Sequence, residues 1–256
     1  MAGIDDREYH KVAGVPSTGR PSIYELRQPK FDLGAFLDEQ LPALRGGHVL
    51  DAGCGPGAYV ADALATASEL VALDIAHNRL ELIDERAFRV CGDVQALPFP
   101  GAVFDAAMAM HMLYHVPDIE LGAAELRRVL RPGGVLYAFT NSERAQWEMQ
   151  ELIDRNGCNP FAGGENRFTN ENGAHYLGTA FVDVRLAEFT ESRLVVTDPD
   201  CVVDEIQRNR YLIEPGLRPG TGWDDLVAGV RRDVAEIVSR EGAFVMSERH
   251  GLFTCR

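Results

Sequence analysis

The sequence lacks features that would mark it as a nucleic-acid-binding or membrane protein. It has no cluster of Lys and Arg, and its 39 acidic and 25 basic residues give a formal net charge of −14. A protein that binds nucleic acid needs a basic surface to neutralise the phosphate backbone, so the excess of acidic residues argues against a nucleic-acid partner. The longest uncharged apolar stretch is residues 106–116 (AAMAMHMLYHV). A membrane helix needs roughly 20 such residues, so we expect no membrane span.

Cysteine and histidine are arranged without the spacing of a disulfide framework or a metal site. The five cysteines are odd in number and never form C-x-x-C, and the seven histidines include no H-E-x-x-H. The polar start MAGIDDREYHK lacks the basic and apolar segments of a signal peptide. We therefore expect no metal centre and a cytoplasmic location. Nothing in the sequence indicates an oligomeric state.

Strand-like and helix-like patterns alternate through the first half of the chain. The predicted strands are residues 48–51, 70–74, 88–92, 103–110 and 135–140, and the predicted helices are residues 58–67, 78–86 and 120–130. Such alternation predicts a doubly wound α/β fold, in which parallel strands form a sheet that helices cover on both faces.

The flanking segments have different patterns, which divide the chain into four predicted parts. These are an N-terminal arm with lid helices (1–44), the α/β core (45–140), an inserted lid region rich in Gly, Asn and aromatic residues (141–179), and a C-terminal part that completes the sheet (180–256). In the last part, residues 181–189 and 243–255 alternate between apolar and polar side chains. Alternation of this kind predicts antiparallel strands with one exposed face.

A glycine-rich turn, Asp51-Ala52-Gly53-Cys54-Gly55-Pro56-Gly57, follows the first predicted strand. Its glycines permit a positive φ and a close approach of the backbone to a ligand, and the helix behind them favours an anionic group. Asp74 ends the second strand, where nucleotide-binding folds hold ribose hydroxyls. The spacing Gly53-x-Gly55-x-x-Ala58 also fits the dinucleotide fingerprint loosely. The turn alone therefore does not choose the cofactor.

Further motifs narrow the choice. Asp51 is a poor neighbour for a pyrophosphate but a good partner for an ammonium group, and Asp93 follows the third strand, where it can accept a hydrogen bond from an adenine amine. Phe104-Asp105 opens the fourth strand, and residues 111–118 (HMLYHVPD) and 130–134 (LRPGG) follow it. In this order the motifs resemble the class I S-adenosylmethionine (SAM) dependent methyltransferases of the subgroup called type 11. The resemblance covers residues 45–140 and, more loosely, 168–197.

The resemblance implies a Rossmann-like, seven-stranded, mostly parallel sheet with antiparallel C-terminal strands. It also implies SAM as cofactor and S-adenosylhomocysteine as product. The implied cofactor contacts are Asp51 to the amino group, Gly53, Gly55 and Gly57 to the methionine part, Arg27 to the methionine carboxylate, Asp74 to the ribose, Ile75 to the adenine face, Asp93 and Val94 to the adenine edge, and Met110 beneath the sulfonium. Met110 stands where many relatives have a polar residue.

Candidate acceptor-binding residues are fewer and less specific. His111 leaves the fourth strand at the edge where acceptors enter, so it is a candidate base or anchor, and Tyr24 is a second catalytic candidate. His115, Trp147 and His175 complete the predicted substrate set, although His115 could instead orient its loop. Aromatic residues near the lid, among them Phe161, Phe168 and Tyr176, suit a flat acceptor but could equally be core. A base is needed only when the acceptor is a hydroxyl, a protonated amine or an acidic carbon.

The sequence thus predicts a cytoplasmic SAM-dependent methyltransferase that acts on an oxygen, nitrogen or carbon atom of a small molecule of specialised metabolism. Its only predicted partner is that methyl acceptor, with no nucleic acid and no membrane. Two alternatives stay open. An NAD(P)-dependent oxidoreductase could use the same glycine-rich turn, and a non-catalytic SAM-binding module could keep the turn and its acidic residues without turnover.

Overall fold

The computed structural model describes residues 19–30, 32–159 and 167–256, which form ten strands and nine α-helices. The strands are β1 (Arg27–Gln28), β2 (His48–Ala52), β3 (Glu69–Asp74), β4 (Phe88–Cys91), β5 (Phe104–Met110), β6 (Leu130–Asn141), β7 (Val184–Phe189), β8 (Arg193–Val196), β9 (Phe244–Ser247) and β10 (His250–Cys255). The helices are α1 (Leu33–Gln40), α2 (Val60–Thr66), α3 (His77–Leu80), α4 (Ile119–Val129), α5 (Trp147–Arg155), α6 (Gly173–Leu177), α7 (Pro199–Arg208), α8 (Arg210–Ile213) and α9 (Trp223–Glu241).

Seven of the strands form one sheet in the order β4-β3-β2-β5-β6-β10-β7. Strands β2 to β6 are parallel to their neighbours in this group, whereas β10 is antiparallel to both β6 and β7. The central strands are apolar almost throughout because both of their faces are buried, and β7 lies at the edge with most of its side chains exposed. The predicted doubly wound sheet with antiparallel C-terminal strands is confirmed.

Both faces of the sheet are covered by helices. Adjacent residues of β2 point to opposite faces, so Leu50 packs in the cluster that includes α4 and α6, and Val49 packs in the cluster that includes α1, α2 and α3. Because β2, β3, β4 and β5 run in one direction, their carboxyl ends lie at one edge of the sheet. In open α/β sheets this edge is where ligands bind.

A third hydrophobic cluster, which we call the helical lobe, lies outside the main sheet. It is built from the small antiparallel sheet β1-β8-β9 and helices α5, α7 and α9, with Ile23, Leu194, Val202, Val230 and Met246 at its centre. The chain contributes β1 and α5 to the lobe, enters it again after β7 and returns to the main sheet at β10. Residues 180–256 therefore contribute to both bodies, and the assignment of residues 141–179 as a lid stays a prediction.

Local structure departs from the predicted pattern in two places. The helix predicted over 78–86 is only α3, because the carboxylate of Asp84 accepts a hydrogen bond from the backbone N–H of Arg86 and favours a turn there. The alternating segment 243–255 is divided between two sheets, since Glu248 and Arg249 separate β9 from β10.

The N-terminal arm up to residue 18 and Phe161 lie outside the described residues. Within the described ranges, no helix is both long and apolar enough to cross a membrane.

Candidate active site

The glycine-rich turn after β2 is held tightly against the neighbouring strand. The backbone N–H groups of Gly53 and Cys54 donate to the carbonyl of Leu73 at 2.7 and 3.0 Å. Gly53 has a φ of +69°, and a Cβ added to it would lie 2.6 Å from Cε and 2.9 Å from Cβ of Met112. Both the backbone conformation and the space therefore require glycine at this position.

Asp74, at the end of β3, accepts hydrogen bonds that fix the glycine-rich turn. Its Oδ2 accepts from the backbone N–H of Gly55 at 2.8 Å, and its Oδ1 accepts from that of Ala76 at 2.8 Å. The side chain is only 4% exposed. Each carboxylate oxygen can accept a second hydrogen bond, so Asp74 keeps acceptor capacity for hydroxyl donors while it orders the loop.

Asp51 has a buried carboxylate with an oxygen that accepts no hydrogen bond from the described residues. It is 1% exposed, and its Oδ2 has no hydrogen-bond partner among the described residues. Burial and the nearby charge of Asp74 raise the pKa of Asp51 to about 7. A buried polar atom without a partner is costly, and a ligand ammonium beside it would remove that cost. The site therefore fits the amino group of SAM at this position.

The residues predicted to contact adenine lie further along the same edge. Ile75 follows β3 and is 55% exposed, so an apolar surface is available to a ring. Asp93 begins the short 3₁₀ turn Val94–Ala96, where its Oδ1 accepts from the backbone N–H of Gln95 at 2.8 Å. Asp93 thus shapes the turn, and Val94 is buried behind it. Met110 is buried at the end of β5.

A cavity of about 410 Å³ lies beside these strand ends. It is lined by Arg27, Pro29, Phe36, Tyr59, His111, Phe139, Glu188, Phe189, Thr190, Glu191, Ser192 and His250. Three of these residues form a wall of packed rings, with centroids 5.3 Å apart for Phe36 and Phe139, 5.5 Å for Phe36 and Phe189, and 6.2 Å for Phe139 and Phe189.

His111 lies between this aromatic wall and the end of β5. Its φ of +55° is unusual for a residue other than glycine, and its N–H donates to the carbonyl of Phe139 at 2.8 Å. Its ring centroid is 4.8 Å from that of Phe139 and 5.7 Å from that of His250. Burial, followed by the charges of His250 and Arg27, lowers the pKa of His111 to about 3. The ring is therefore neutral at physiological pH and can accept a hydrogen bond.

Arg27 is paired with a carboxylate from the far end of the chain. Its Nε and Nη2 donate to Oε2 and Oε1 of Glu248 at 2.5 and 2.7 Å. Glu248 is fully buried, and although burial opposes ionisation, hydrogen bonds from His250 and Arg27 lower its pKa to about 2. His250 also contacts Oδ1 of Asn141 through Nδ1 at 2.9 Å. Arg27, predicted to bind the methionine carboxylate, thus already has a bidentate partner.

Tyr59 connects the cavity with the glycine-rich turn. It lines the cavity and precedes α2, and burial, followed by the charge of Asp51, raises its pKa to about 12. The charge of Arg27, which also lines the cavity, acts on the same hydroxyl in the opposite direction. A molecule in the cavity would therefore lie next to the proposed methionine site.

The other predicted substrate and catalytic residues do not line this cavity. His175 is exposed on α6, which covers the opposite face of the sheet, and Trp147 begins α5 in the helical lobe. Burial, followed by the charge of Glu205, raises the pKa of Tyr24, which disfavours a role as base. His115 packs against Tyr114, and burial and Arg79 lower its pKa to about 4. The roles of these four residues stay predictions.

Sequence reasoning missed the cavity residues that come from distant elements. Phe36, Tyr59, Phe139 and His250 belong to no local motif, and neither does Glu248, which pairs with Arg27 of the lining; only the topology brings them together. A signal was present in residues 244–253 (FVMSERHGLF), where the polar run 247–250, which includes Glu248 and His250, interrupts two apolar segments. Within the described ranges, no group of three or more His, Cys, Asp or Glu residues could hold a metal ion.

Comparisons with known proteins agree with this architecture. Residues 50–138 match the family model described as a methyltransferase domain. The sterol 4-C-methyltransferase strm-1 of Caenorhabditis elegans is 31% identical over 45% of this chain and 37% of its own length. The 27-O-demethylrifamycin SV methyltransferase of Amycolatopsis mediterranei is 35% identical over 39% of this chain and 40% of its own length. The alignments thus cover well under half of these relatives.

A solved structure extends the similarity to most of the fold. The crystal structure of a putative methyltransferase from Bacillus halodurans covers 88% of this chain and 98% of its own length, with a TM-score of 0.57 and 18% identity. The fold is therefore that of the Rossmann-like methyltransferases. Residues 50–138 match the methyltransferase-domain model and the fold agrees with it, so the resemblance to type 11-like methyltransferases recognised from the sequence is confirmed for this part of the chain.

Proposed function

We propose that the chain is a SAM-dependent methyltransferase that transfers a methyl group to an oxygen, nitrogen or carbon atom of a small molecule. The observation that carries the proposal is the buried carboxylate of Asp51, whose Oδ2 has no partner among the described residues, beside a glycine-rich turn with positive φ angles. A dinucleotide pyrophosphate would be repelled by this carboxylate once it is ionised, whereas an ammonium group would be bound. The site thus favours SAM over NAD(P).

The residues that would hold the cofactor follow the strand ends in order. Asp51 would accept from its amino group, the turn at Gly53 and Gly55 would lie against its methionine part, and Asp74 would accept from the ribose hydroxyls. Ile75 and Asp93 lie further along the edge, towards adenine. When bound, SAM supplies a methyl group that its sulfonium has already activated for in-line displacement by a lone pair.

The protein's own contribution is to position the acceptor and to exclude water. The ring wall of Phe36, Phe139 and Phe189 provides an apolar surface, and the cavity volume suits a small molecule. His111, neutral at physiological pH, would accept the hydrogen bond of an acceptor hydroxyl or amine. Alignment of donor and acceptor in a dry site supplies much of the rate enhancement in such a reaction. The proposal includes a cytoplasmic location, in keeping with five free cysteines in the described residues.

Calorimetric titration tests the proposal against the oxidoreductase alternative. The protein is titrated with SAM, S-adenosylhomocysteine and NAD, and we expect saturable binding of the first two only. Binding of NAD without binding of SAM would contradict the proposal. A protein that binds SAM is then incubated with candidate acceptors and assayed for S-adenosylhomocysteine formation, which separates an enzyme from a non-catalytic binding module.

A further inference from the structure

His250 lines the cavity beside the glycine-rich turn, and both of its ring nitrogens face polar partners. Its Nδ1 lies 2.9 Å from Oδ1 of Asn141, and its Nε2 lies 3.4 Å from Oε1 of Glu248. An ionised carboxylate only accepts hydrogen bonds, so the ring proton that faces Glu248 is on Nε2. The Asn141 amide can donate to Nδ1 or accept from it. Partners at both nitrogens therefore hold the ring in one orientation.

The two partners of His250 are themselves fixed by the fold. Asn141 lies directly opposite His250 in the antiparallel pair of β6 and β10. Glu248 is fully buried, binds Arg27 through both carboxylate oxygens, and its backbone N–H donates to the carbonyl of Ser192 at 3.1 Å. His250 is therefore anchored by the main sheet on one side and by the segment that joins the helical lobe to the sheet on the other.

The imidazole of His111 is oriented by its packing against two other rings. A φ of +55° and the hydrogen bond to the carbonyl of Phe139 fix only its backbone. Its ring plane lies at 78° to that of Phe139 and at 79° to that of His250, and these two rings stack on each other at 27° with centroids 5.4 Å apart. Burial, followed by the charge of His250, lowers the pKa of His111, in keeping with this proximity. His111 thus stands nearly perpendicular to a stacked pair, of which His250 is the member with polar anchors.

We propose that His250 is a positioning residue for His111: anchored by Asn141 and Glu248, it forms with Phe139 the stacked pair that holds the imidazole of His111 in the cavity. Without the ring of His250, space opens beside His111, and its side chain can turn into another rotamer. The inference rests on the proposed function, in which His111 accepts the hydrogen bond of the methyl acceptor and His250 acts through it.

Nuclear magnetic resonance of the ligand-free full chain tests this arrangement without a known acceptor. Histidine and phenylalanine are isotope-labelled, the signals of His111 and His250 are assigned by their absence in H111Q and H250Q, and ring contacts are measured as nuclear Overhauser effects (NOEs). In the wild type we expect NOEs from His111 to both His250 and Phe139. In H250Q the NOEs between His111 and Phe139 should weaken or disappear, because the imidazole is no longer held against the stacked ring.

His48 offers a matched control at the amino-terminal edge of the parallel strands. Its Nε2 lies 3.2 Å from Oε2 of Glu69, its Nδ1 lies 3.2 Å from the carbonyl oxygen of Val103, and its ring centroid lies 4.7 Å from that of Phe104. H48Q therefore removes a ring that is anchored and packed in a similar way. It should leave the NOEs of His111 unchanged.

A double-variant cycle on turnover shows whether His250 acts through His111. H250Q should lower kcat about tenfold, because a misplaced hydrogen-bonding group slows an aligned transfer, and should leave the affinity for S-adenosylhomocysteine unchanged. The double variant H111Q/H250Q should be no slower than H111Q alone, since residues that act as a unit are not additive. A side chain that only supported folding would slow the enzyme whether or not His111 is present.

The outcomes separate this inference from the proposed function. Absence of S-adenosylhomocysteine binding would contradict the proposed function, whereas the NOEs of the ligand-free protein report the position of His111 in either case. Wild-type spectra without NOEs between His111 and His250 would overturn the positioning role, and they decide even if H250Q does not fold. Retention of the His111–Phe139 NOEs in H250Q, a wild-type kcat in H250Q, or independent losses in the double variant would overturn it as well.

Discussion

Replacement of Asp51 by Asn should stabilise the ligand-free protein at alkaline pH and weaken its binding of SAM. Asp51 is 1% exposed, and burial together with Asp74 raises its pKa from 3.8 to about 7. The folded state therefore holds the Asp51 proton more tightly than the unfolded chain does. The stability linked to this proton is fully present below pH 4 and is lost as the pH rises to about 7.

The size of the change in the free energy of unfolding follows from the interval between the unfolded-state and folded-state pKa values of Asp51. Each pH unit between the two pKa values changes the free energy of unfolding by about 1.4 kcal/mol. Roughly two such units lie between pH 5 and the folded-state pKa of Asp51. The wild type therefore loses about 3 kcal/mol of its free energy of unfolding between pH 5 and pH 8 through Asp51. The Asn side chain has the same shape but does not titrate. Titrating groups away from Asp51 affect both proteins in the same way and cancel in the comparison.

Urea unfolding of wild type and D51N at pH 5 and pH 8, without ligand, measures this difference. We expect the free energy of unfolding of D51N relative to wild type to be about 3 kcal/mol more favourable at pH 8 than at pH 5. In the same samples D51N should bind SAM at least tenfold more weakly, because a charged hydrogen bond is lost. A stability difference that is equal at the two pH values would refute the assignment of Asp51 as a buried, unpaired carboxylate.

Three further predictions concern the surroundings of the site. E248Q should lose about 3 kcal/mol of stability at pH 7, because removal of one partner of a buried ion pair leaves the other uncompensated. This loss of stability should disappear as the pH falls from about 4.5 towards 2, where the carboxyl of wild-type Glu248 becomes protonated. Urea unfolding of both proteins across that range measures the loss, and a loss that does not change with pH would contradict the prediction. H111Q should bind SAM normally but turn over an acceptor at least tenfold more slowly. The wild-type rate should show no inflection from His111 between pH 5 and 8, since the pKa of His111 is about 3. Steady-state kinetics with any accepted substrate measure both effects, and an unchanged rate in H111Q would contradict a role of His111 in turnover. G53A should lower the free energy of unfolding by about 2 kcal/mol or more relative to G46A. Both glycines have a φ near +70°, but only at Gly53 would the new Cβ collide with Met112. Equal thermal stability of the two variants would refute the close packing of the turn.

The sheet and the candidate cofactor residues could be picked out from the sequence because their signals are local. The first two parallel strands are short apolar runs that reach Asp51 and Asp74, so these acids mark the edge of the sheet without any knowledge of the fold. The antiparallel strands were visible as alternation in 181–189 and 243–255. Their assignment to two different sheets was not, because the division at Glu248 depends on pairing of β9 with β8 and of β10 with β6.

The acceptor cavity could not be predicted because its residues are distant in sequence. Arg27 from β1 meets Glu248 from the segment between β9 and β10, and the aromatic wall combines α1, β6 and β7. Residue type alone also does not distinguish residues that are close in sequence. His111 and His115 are four residues apart in the sequence, yet only His111 lines the cavity, since its positive φ turns the chain at the end of β5.

A structure of the protein with S-adenosylhomocysteine tests the central claim most directly. We predict that the ligand's amino group lies within about 3.2 Å of Oδ2 of Asp51, at hydrogen-bond distance, with its ribose hydroxyls on Asp74 and its adenine beside Ile75. A ligand bound elsewhere, or one with its amino group remote from Asp51, would contradict the account of this site.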